Sequence, residues 1–324
     1  MKTIRISASG EYDVIIAPDL LSSAGERIRA AVPDFRKAAV ITDDNVAPLL
    51  LSELERSLAG AGIESVRYIF PHGEGSKNGE NYLKILSFLA SSRLSRGDIV
   101  IALGGGVVGD IAGFAAATYL RGIRYVQLPT SLLAMVDSSV GGKTAIDLEE
   151  GKNLAGAFCQ PELVLCDLDA LKTLSPEFFT DGCAEIFKYG VLGDRELFDH
   201  LCRRGQNFDR EYAVSRSVEM KRGYVSRDEF DRGLRQMLNL GHTVGHAIEK
   251  CSGYREGHGR AVAAGLAVIA KACAENGICS RRCAGEIISG LEALGLPTGT
   301  GCSAEELMTP MLADKKRSGD KINL

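Results

Sequence analysis

The residues best suited to chemistry stand in the second half of the chain. His242 and His246 lie four apart in LNLGHTVGHAIE (238–249), between glycines. On a helix this spacing puts both rings on one face. A third histidine, His258, begins HGRAVAAG, and a glutamate, Glu185, sits in GCAEIFKYG. One glutamate and two histidines with a position left open form a donor set for catalytic zinc. HTVGH has the spacing of the peptidase motif H-E-x-x-H, but Thr243 follows the first histidine, so the general base of a zinc peptidase is missing. Spacing alone leaves a second reading open, in which these are surface or capping histidines.

A second set is built on glycine. LGGGVVGDIAG places Gly104, Gly106 and Gly109 in a G-x-G-x-x-G pattern, after a buried apolar run and ahead of a helix of small residues. The free backbone N–H groups at such a helix start suit a pyrophosphate. The loop comes late in its domain, so the unit need not be a standard Rossmann one. Asp110 reads either as a charge favourable to the helix N-terminus or as a ligand for a cofactor hydroxyl. A third set is basic. Lys143 follows two glycines in VGGKT, Lys152 and Asn153 sit in GKN, and Lys188 stands three residues after Glu185. Lys221, Arg235 and the lysines of ADKK add to them. Glycine neighbours let a backbone approach a ligand closely. Together these cations suggest a substrate carrying a phosphate and a carboxylate.

Elements must position these groups. KAAVITD (37–43), SVRYIF (65–70), GDIVIALGGG (97–106), RYVQLP (124–129) and ELVLCD (162–167) read as strands, with helices over 46–59 and 81–92 between them. This alternation predicts a Rossmann-like parallel sheet with flanking helices. After residue 170 the pattern turns helical, in EFFTDGCAEIFKYGVL, EYAVSRSVEMKRGYVS, TVGHAIEKC, GRAVAAGLAVIAKACAENG and AGEIISGLEALG. The chain of 324 residues thus divides into an α/β domain, 1–170, and a mostly α-helical domain, 171–324. A net charge of −4 gives no reason to expect nucleic acid or an anionic membrane as partner, so an anionic ligand must be met by a local cluster. The start, MKTIRISASGEYDVII, has no long apolar stretch of the kind a secretion signal needs, and no run is long enough to span a bilayer. Nine scattered cysteines point to reduced thiols and a cytoplasmic setting rather than a disulfide framework.

GGGVVGDIAGFAAATYLRG, QLPTSLLAMVDSSVGGKTAID, GKNLAGAF, CAEIFKYG, LNLGHTVGHAIE, HGRAVAAG and ADKK, in this order, resemble the motifs of the 3-dehydroquinate synthases, over roughly residues 38–318. The resemblance implies an enzyme of the shikimate pathway that turns 3-deoxy-D-arabino-heptulosonate 7-phosphate into 3-dehydroquinate and phosphate. Its route would be transient oxidation by NAD, β-elimination, reduction and intramolecular aldol closure. It implies NAD and a divalent metal, zinc or in its place cobalt, held by Glu185, His242 and His258. His246 then serves substrate phosphate or proton transfer. Lys143, Lys152, Asn153, Lys188, Lys221, Arg235, Asn239 and Lys315 resemble the substrate pocket. Arg121 resembles an arginine that reaches a phosphate across a homodimer interface, and Asp137 a residue near the ring-forming chemistry. The NAD contacts would be Asp43, Glu74, Lys77, Gly105, Gly106, Val107, Val108, Gly109, Asp110, Thr130, Ser131 and Thr173, with Lys143 and Lys152 touching both ligands.

Three positions depart from the family pattern: Arg260 and Phe178 stand where glutamate is usual, and His72 where aspartate is. The pattern also continues, in the family, past the final DKINL with a further strand and C-terminal segment. The competing readings are another sugar-phosphate cyclase, a metal-dependent dehydrogenase that releases NADH, and a non-catalytic binding homologue.

Overall fold

The computed structural model describes residues 1–253 and 255–312, together with two short strands, Arg317–Ser318 and Lys321–Ile322, that pair antiparallel. Two compact units emerge. One comprises Met1–Leu174 and Lys221–Phe230, the other Ser175–Met220 and Asp231–Leu324.

The first unit runs β1 (Lys2–Ser7), β2 (Glu11–Ala17), α1 (Ala24–Ala31), β3 (Lys37–Asp43), α2 (Ser52–Gly60), β4 (Glu64–Phe70), α3 (Gly79–Ser91), β5 (Ile99–Gly104), α4 (Gly106–Thr118), β6 (Arg124–Pro129), β7 (Lys143–Leu148), β8 (Gly151–Phe158) and β9 (Leu163–Asp167). Seven strands form one sheet in the order β1-β2-β9-β6-β5-β3-β4. All neighbours are parallel except β1 and β2, which pair antiparallel from Lys2 opposite Ile16 to Ser7 opposite Glu11. The apolar runs of β3 and β5 are buried almost end to end, as strands covered on both faces must be. Ala39, Ile41, Val100 and Ala102 meet Val108, Ile111, Ala112 and Ala115 of α4 in one core.

Connectivity marks one point of this sheet. The chain leaves β3 toward β4 at the sheet edge and leaves β5 toward β6 on the other side, although β3 and β5 are neighbours. Between the carboxyl ends of two strands whose connections diverge lies the crevice where open α/β sheets take their ligands. Here those ends are Asp43 and Gly104.

The second unit is helical: α5 (Pro176–Leu192), α6 (Arg195–Arg204), α7 (Arg210–Val225), α8 (His242–Cys251), α9 (His258–Glu275), α10 (Arg281–Ala293) and α11 (Ala304–Leu312). The last residues of α7, from Lys221, belong to the first unit. Ser175 caps α5, its hydroxyl accepting the Phe178 N–H at 3.3 Å, and Pro176 fills the first helical position. Among the described residues no helix is long and apolar enough to cross a membrane.

The expected α/β-then-helical order holds, with an antiparallel edge strand added to the parallel sheet. The sequence pattern does not announce the β1–β2 hairpin, the β7–β8 hairpin, α1, α6 or α11. β8 shows no alternation of buried and exposed positions, so it lacks the period-2 signal by which a half-buried strand is read.

Candidate functional site

Three helices of the second unit deliver one cluster. Glu185 sits in the middle of α5, His242 is the first residue of α8 and His258 the first of α9. One donor atom from each lies within 4.8 Å of the others. Glu185 is fully buried, and its Oε1 has no hydrogen-bond partner among the described residues. Oε2 forms an ion pair with Lys188 one turn along α5. Oε1 faces Nε2 of His242 at 3.6 Å and Nε2 of His258 at 3.8 Å.

The other ring nitrogen of each histidine has an acceptor of its own. His242 Nδ1 is 3.3 Å from the Leu240 carbonyl oxygen, and His258 Nδ1 is 3.0 Å from Glu249 Oε1. A neutral ring that donates from Nδ1 to that acceptor leaves the Nε2 lone pair for a cation beside Glu185. A carboxylate and two lone pairs aimed at one point repel one another unless a cation lies between them. The nitrogen–oxygen donor set and its carbonyl- and carboxylate-backed histidines fit zinc or a similar divalent metal. Burial works against a positive charge on His258, yet Glu249, Glu185 and Asp181 hold its pKa above the ordinary value.

Close helix packing sets this geometry. Gly257 precedes α9 and offers no side-chain cap; instead Asp181 of α5, one turn before Glu185, accepts the Arg260 N–H at 2.9 Å. A Cβ on Gly259 would collide with the Asp181 carbonyl. Glycine there lets α9 come close enough for His258 to face Glu185. Nearby in the same unit, Lys188 is almost fully buried, His246 is exposed with its ring 5.5 Å from that of His242, Arg235 is buried, and Asn239 is half-buried.

In the first unit the glycine loop joins β5 to α4, with Gly105 at the N-cap. A Cβ on Gly109 would come within 2.8 Å of Gln127 Oε1, and one on Gly106 within 3.2 Å of Ser138 Oγ. Gly105, Gly106, Val107, Val108, Gly109 and Asp110 thus form the first turn of α4 and its cap, beside the crevice. Thr130 donates its N–H to the Gly104 carbonyl at 3.0 Å, and Ser131 Oγ lies 3.4 Å from where a Gly105 Cβ would be. Across the switch point, Asp43 ends β3 and folds its carboxylate back onto the Asn45 and Val46 N–H groups at 3.0 and 2.8 Å.

Lys77 knits this region together. It is buried, donates to Asp110 Oδ2 at 2.6 Å, and also bonds Asn153 Oδ1. Burial opposes its charge, but Asp110 and Glu74 outweigh it and hold the ammonium above its ordinary pKa. Its carbonyl accepts the Asp147 N–H at 2.8 Å, and Asp147 in turn accepts the Asn153 N–H at 2.7 Å. Lys152 lies 3.8 Å from Glu74. Lys143 begins the same hairpin, exposed on β7. Lys221 binds Asp137 at 2.8 Å. Thr173 is exposed and donates its hydroxyl to the Ala170 carbonyl at 2.8 Å, and Arg121 is exposed in a left-handed conformation with φ +69°. Neither joins the Lys77 cluster through a described bond. Lys315 lies outside the described residues.

Two family models, 3-dehydroquinate synthase N-terminal and 3-dehydroquinate synthase C-terminal, match residues 67–181 and 182–317. A 3-dehydroquinate synthase of Paracoccus denitrificans (strain Pd 1222) is 47% identical over 318 residues, which cover 94% of this chain and 86% of that protein. One of Caulobacter vibrioides (strain NA1000 / CB15N) is 47% identical over 325 residues, covering 96% and 88%. The chain belongs to the 3-dehydroquinate synthase family. Its activity is 3-dehydroquinate synthesis in the shikimate pathway. Among solved structures, a 2-epi-5-epi-valiolone synthase from Streptomyces hygroscopicus subsp. jinggangensis, with NAD+ and Zn2+ bound, matches at TM-score 0.86 and 28% identity over 96% of this chain and 88% of that one. A 2-deoxy-scyllo-inosose synthase complexed with carbaglucose-6-phosphate, NAD+ and Co2+ shares the fold at TM-score 0.90 and 24% identity, covering 100% and 90%.

The three departures from the 3-dehydroquinate synthase pattern all have places. Arg260 reaches back to Glu256 Oε2, ahead of α9, at 3.6 Å, Phe178 is exposed on the first turn of α5, and His72 binds Asp44 through its N–H at 2.8 Å and its Nδ1 at 2.7 Å. Sequence reasoning missed Asp181 and Glu249. Glu249 was within reach of it, because His242, His246 and Glu249 stand at i, i+4 and i+7 on one helix and share a face.

Proposed function

We propose that the chain acts on 3-deoxy-D-arabino-heptulosonate 7-phosphate and releases 3-dehydroquinate and inorganic phosphate, using NAD and one divalent metal, zinc or cobalt. The observation that carries the metal part is the convergence of Glu185, His242 and His258 on one point, with a buried carboxylate oxygen facing two imidazole nitrogens. When bound, the metal acidifies and orients a substrate hydroxyl, and NAD takes up and returns one hydride, so the overall change is redox-neutral.

Within the first unit, the N-terminal turn of α4 presents Gly105 to Asp110 to the cofactor pyrophosphate, with Thr130 and Ser131 beside it. Asp43, Glu74, Lys77 and Thr173 complete the cofactor set. Lys143, Lys152, Asn153, Asp137 and Lys221 bind substrate anions and hydroxyls. Within the second unit, Lys188, Arg235, Asn239 and His246 do the same, with His246 at the phosphate or in proton transfer. Fixed cations of this kind stabilise the oxyanions that develop as phosphate leaves and the ring closes. Lys315 and, in a cytoplasmic homodimer, the partner-reaching Arg121 complete the reading.

The test is phosphate release from the heptulosonate phosphate by purified protein supplied with NAD and Zn2+. The expected result is release that stops on chelation, resumes with added metal, and leaves no net NADH. Stoichiometric NADH, or turnover indifferent to chelation, would overturn it.

A further inference from the structure

Glu249 has no part in the proposed chemistry, yet it is a carboxylate with only 3% of its side chain exposed. A buried carboxylate is costly unless it is bonded. Its partner is Nδ1 of His258, 3.0 Å away. It sits two turns beyond His242 on α8, so one helix carries both a donor and the group that contacts a second donor on α9. The His258 side chain is 32% exposed, and burial alone does not hold its ring. A histidine offers two nitrogens, and rotating the ring would exchange them. The bond to Glu249 removes that freedom by engaging Nδ1, which leaves Nε2 toward Glu185 at 3.8 Å.

We infer that Glu249 is a positioning residue for His258, orienting the imidazole and strengthening it as a donor to the divalent metal. The inference rests on the metal reading above. It has one rival on the same atoms. His246, Glu249 and His258 also bring donor atoms within 4.8 Å of one another, so Glu249 would be a ligand in a second cation position. The geometry favours positioning, because that second set would have to break the Glu249–His258 bond. Glu185 instead offers a buried Oε1 with no hydrogen-bond partner among the described residues.

The experiment titrates the NAD-loaded protein with Co2+, following the visible absorption of the bound ion and its stoichiometry by equilibrium dialysis. Wild type takes one equivalent, and His258→Ala loses it. Glu249→Ala binds Co2+ about 10–100-fold more weakly, the usual scale for removing a ligand's outer partner, with NAD affinity unchanged. Glu249→Gln, nearly isosteric and still able to accept from Nδ1–H, lies between the two and shifts the absorption bands. Wild-type affinity and bands in Glu249→Gln would overturn the inference, and this holds even if Glu249→Ala fails to fold. A second equivalent in wild type, lost in both His246→Ala and Glu249→Ala while the first persists, would replace positioning by ligation. Full Co2+ affinity in His258→Ala would instead sink the metal reading itself.

Discussion

Glu185 divides its carboxylate between two tasks, one oxygen for Lys188 and the other toward the histidines. This split makes Lys188 separable from the metal. Lys188→Met should keep one metal per chain, because the donor set is untouched, and should lower turnover by about 100-fold as a lost anion-stabilising group does. Metal analysis beside a phosphate-release assay checks it, and loss of metal together with activity would move Lys188 out of the substrate role. Lys77 makes a comparable case in the first unit. Removing one partner of a buried ion pair leaves the other charge uncompensated. Lys77→Met should therefore destabilise the protein by about 3–5 kcal/mol in denaturant unfolding, and Lys77→Met/Asp110→Leu by clearly less. Equal losses in the two would show that the stranded Asp110 charge is not what destabilises Lys77→Met.

At the scale of elements, two glycines set two distances. Gly109 lets the first turn of α4 lie against Gln127 of β6, and Gly259 lets α9 lie on the backbone of α5. The neighbours differ in what they can yield. Gln127 meets the added atom with a side-chain oxygen, whereas Asp181 meets it with its carbonyl. Gly109→Ala should weaken NAD binding with metal affinity retained. Gly259→Ala must push two helices apart, so it should weaken metal binding by at least about tenfold, a shift of ~1.4 kcal/mol, with NAD affinity retained. Paired titrations of both ligands on both variants decide this. A uniform loss of NAD and metal in either variant would mean general unfolding rather than local displacement.

For the whole molecule, metal is linked to folding because the cradle exists only in the folded chain. A ligand that binds only the folded state raises stability by about 2.7 kcal/mol at a hundredfold excess over its Kd. Zn2+ should raise the unfolding midpoint, and chelation should lower it while abolishing turnover. His242→Ala should show neither shift. A metal-dependent midpoint in that variant would place the stabilising ion elsewhere.

Five strands of the sheet, most of the helices, the glycine loop and the separate histidine, glutamate and lysine candidates were legible in the sequence, because buried parallel strands are continuous apolar runs and amphipathic helices repeat every three to four residues. The family motifs added which residues should share a metal. Spacing could not show that Glu185, His242 and His258 meet, since they stand on three helices whose approach depends on backbone packing of Gly259 on Asp181 and of Gly265 on Gly241 and Gly245. Nor could it show the β7–β8 hairpin that brings Asn153 to Lys77, because short strands rich in glycine carry little periodic signal. The sequence thus determined the donors and the strand–helix alternation that carries them. Which nitrogen His258 offers, and what holds it there, was decided only by the packing of α9 against α8, where Glu249 meets its ring, because periodicity fixes the face a residue takes on its own helix and not the partner that face meets.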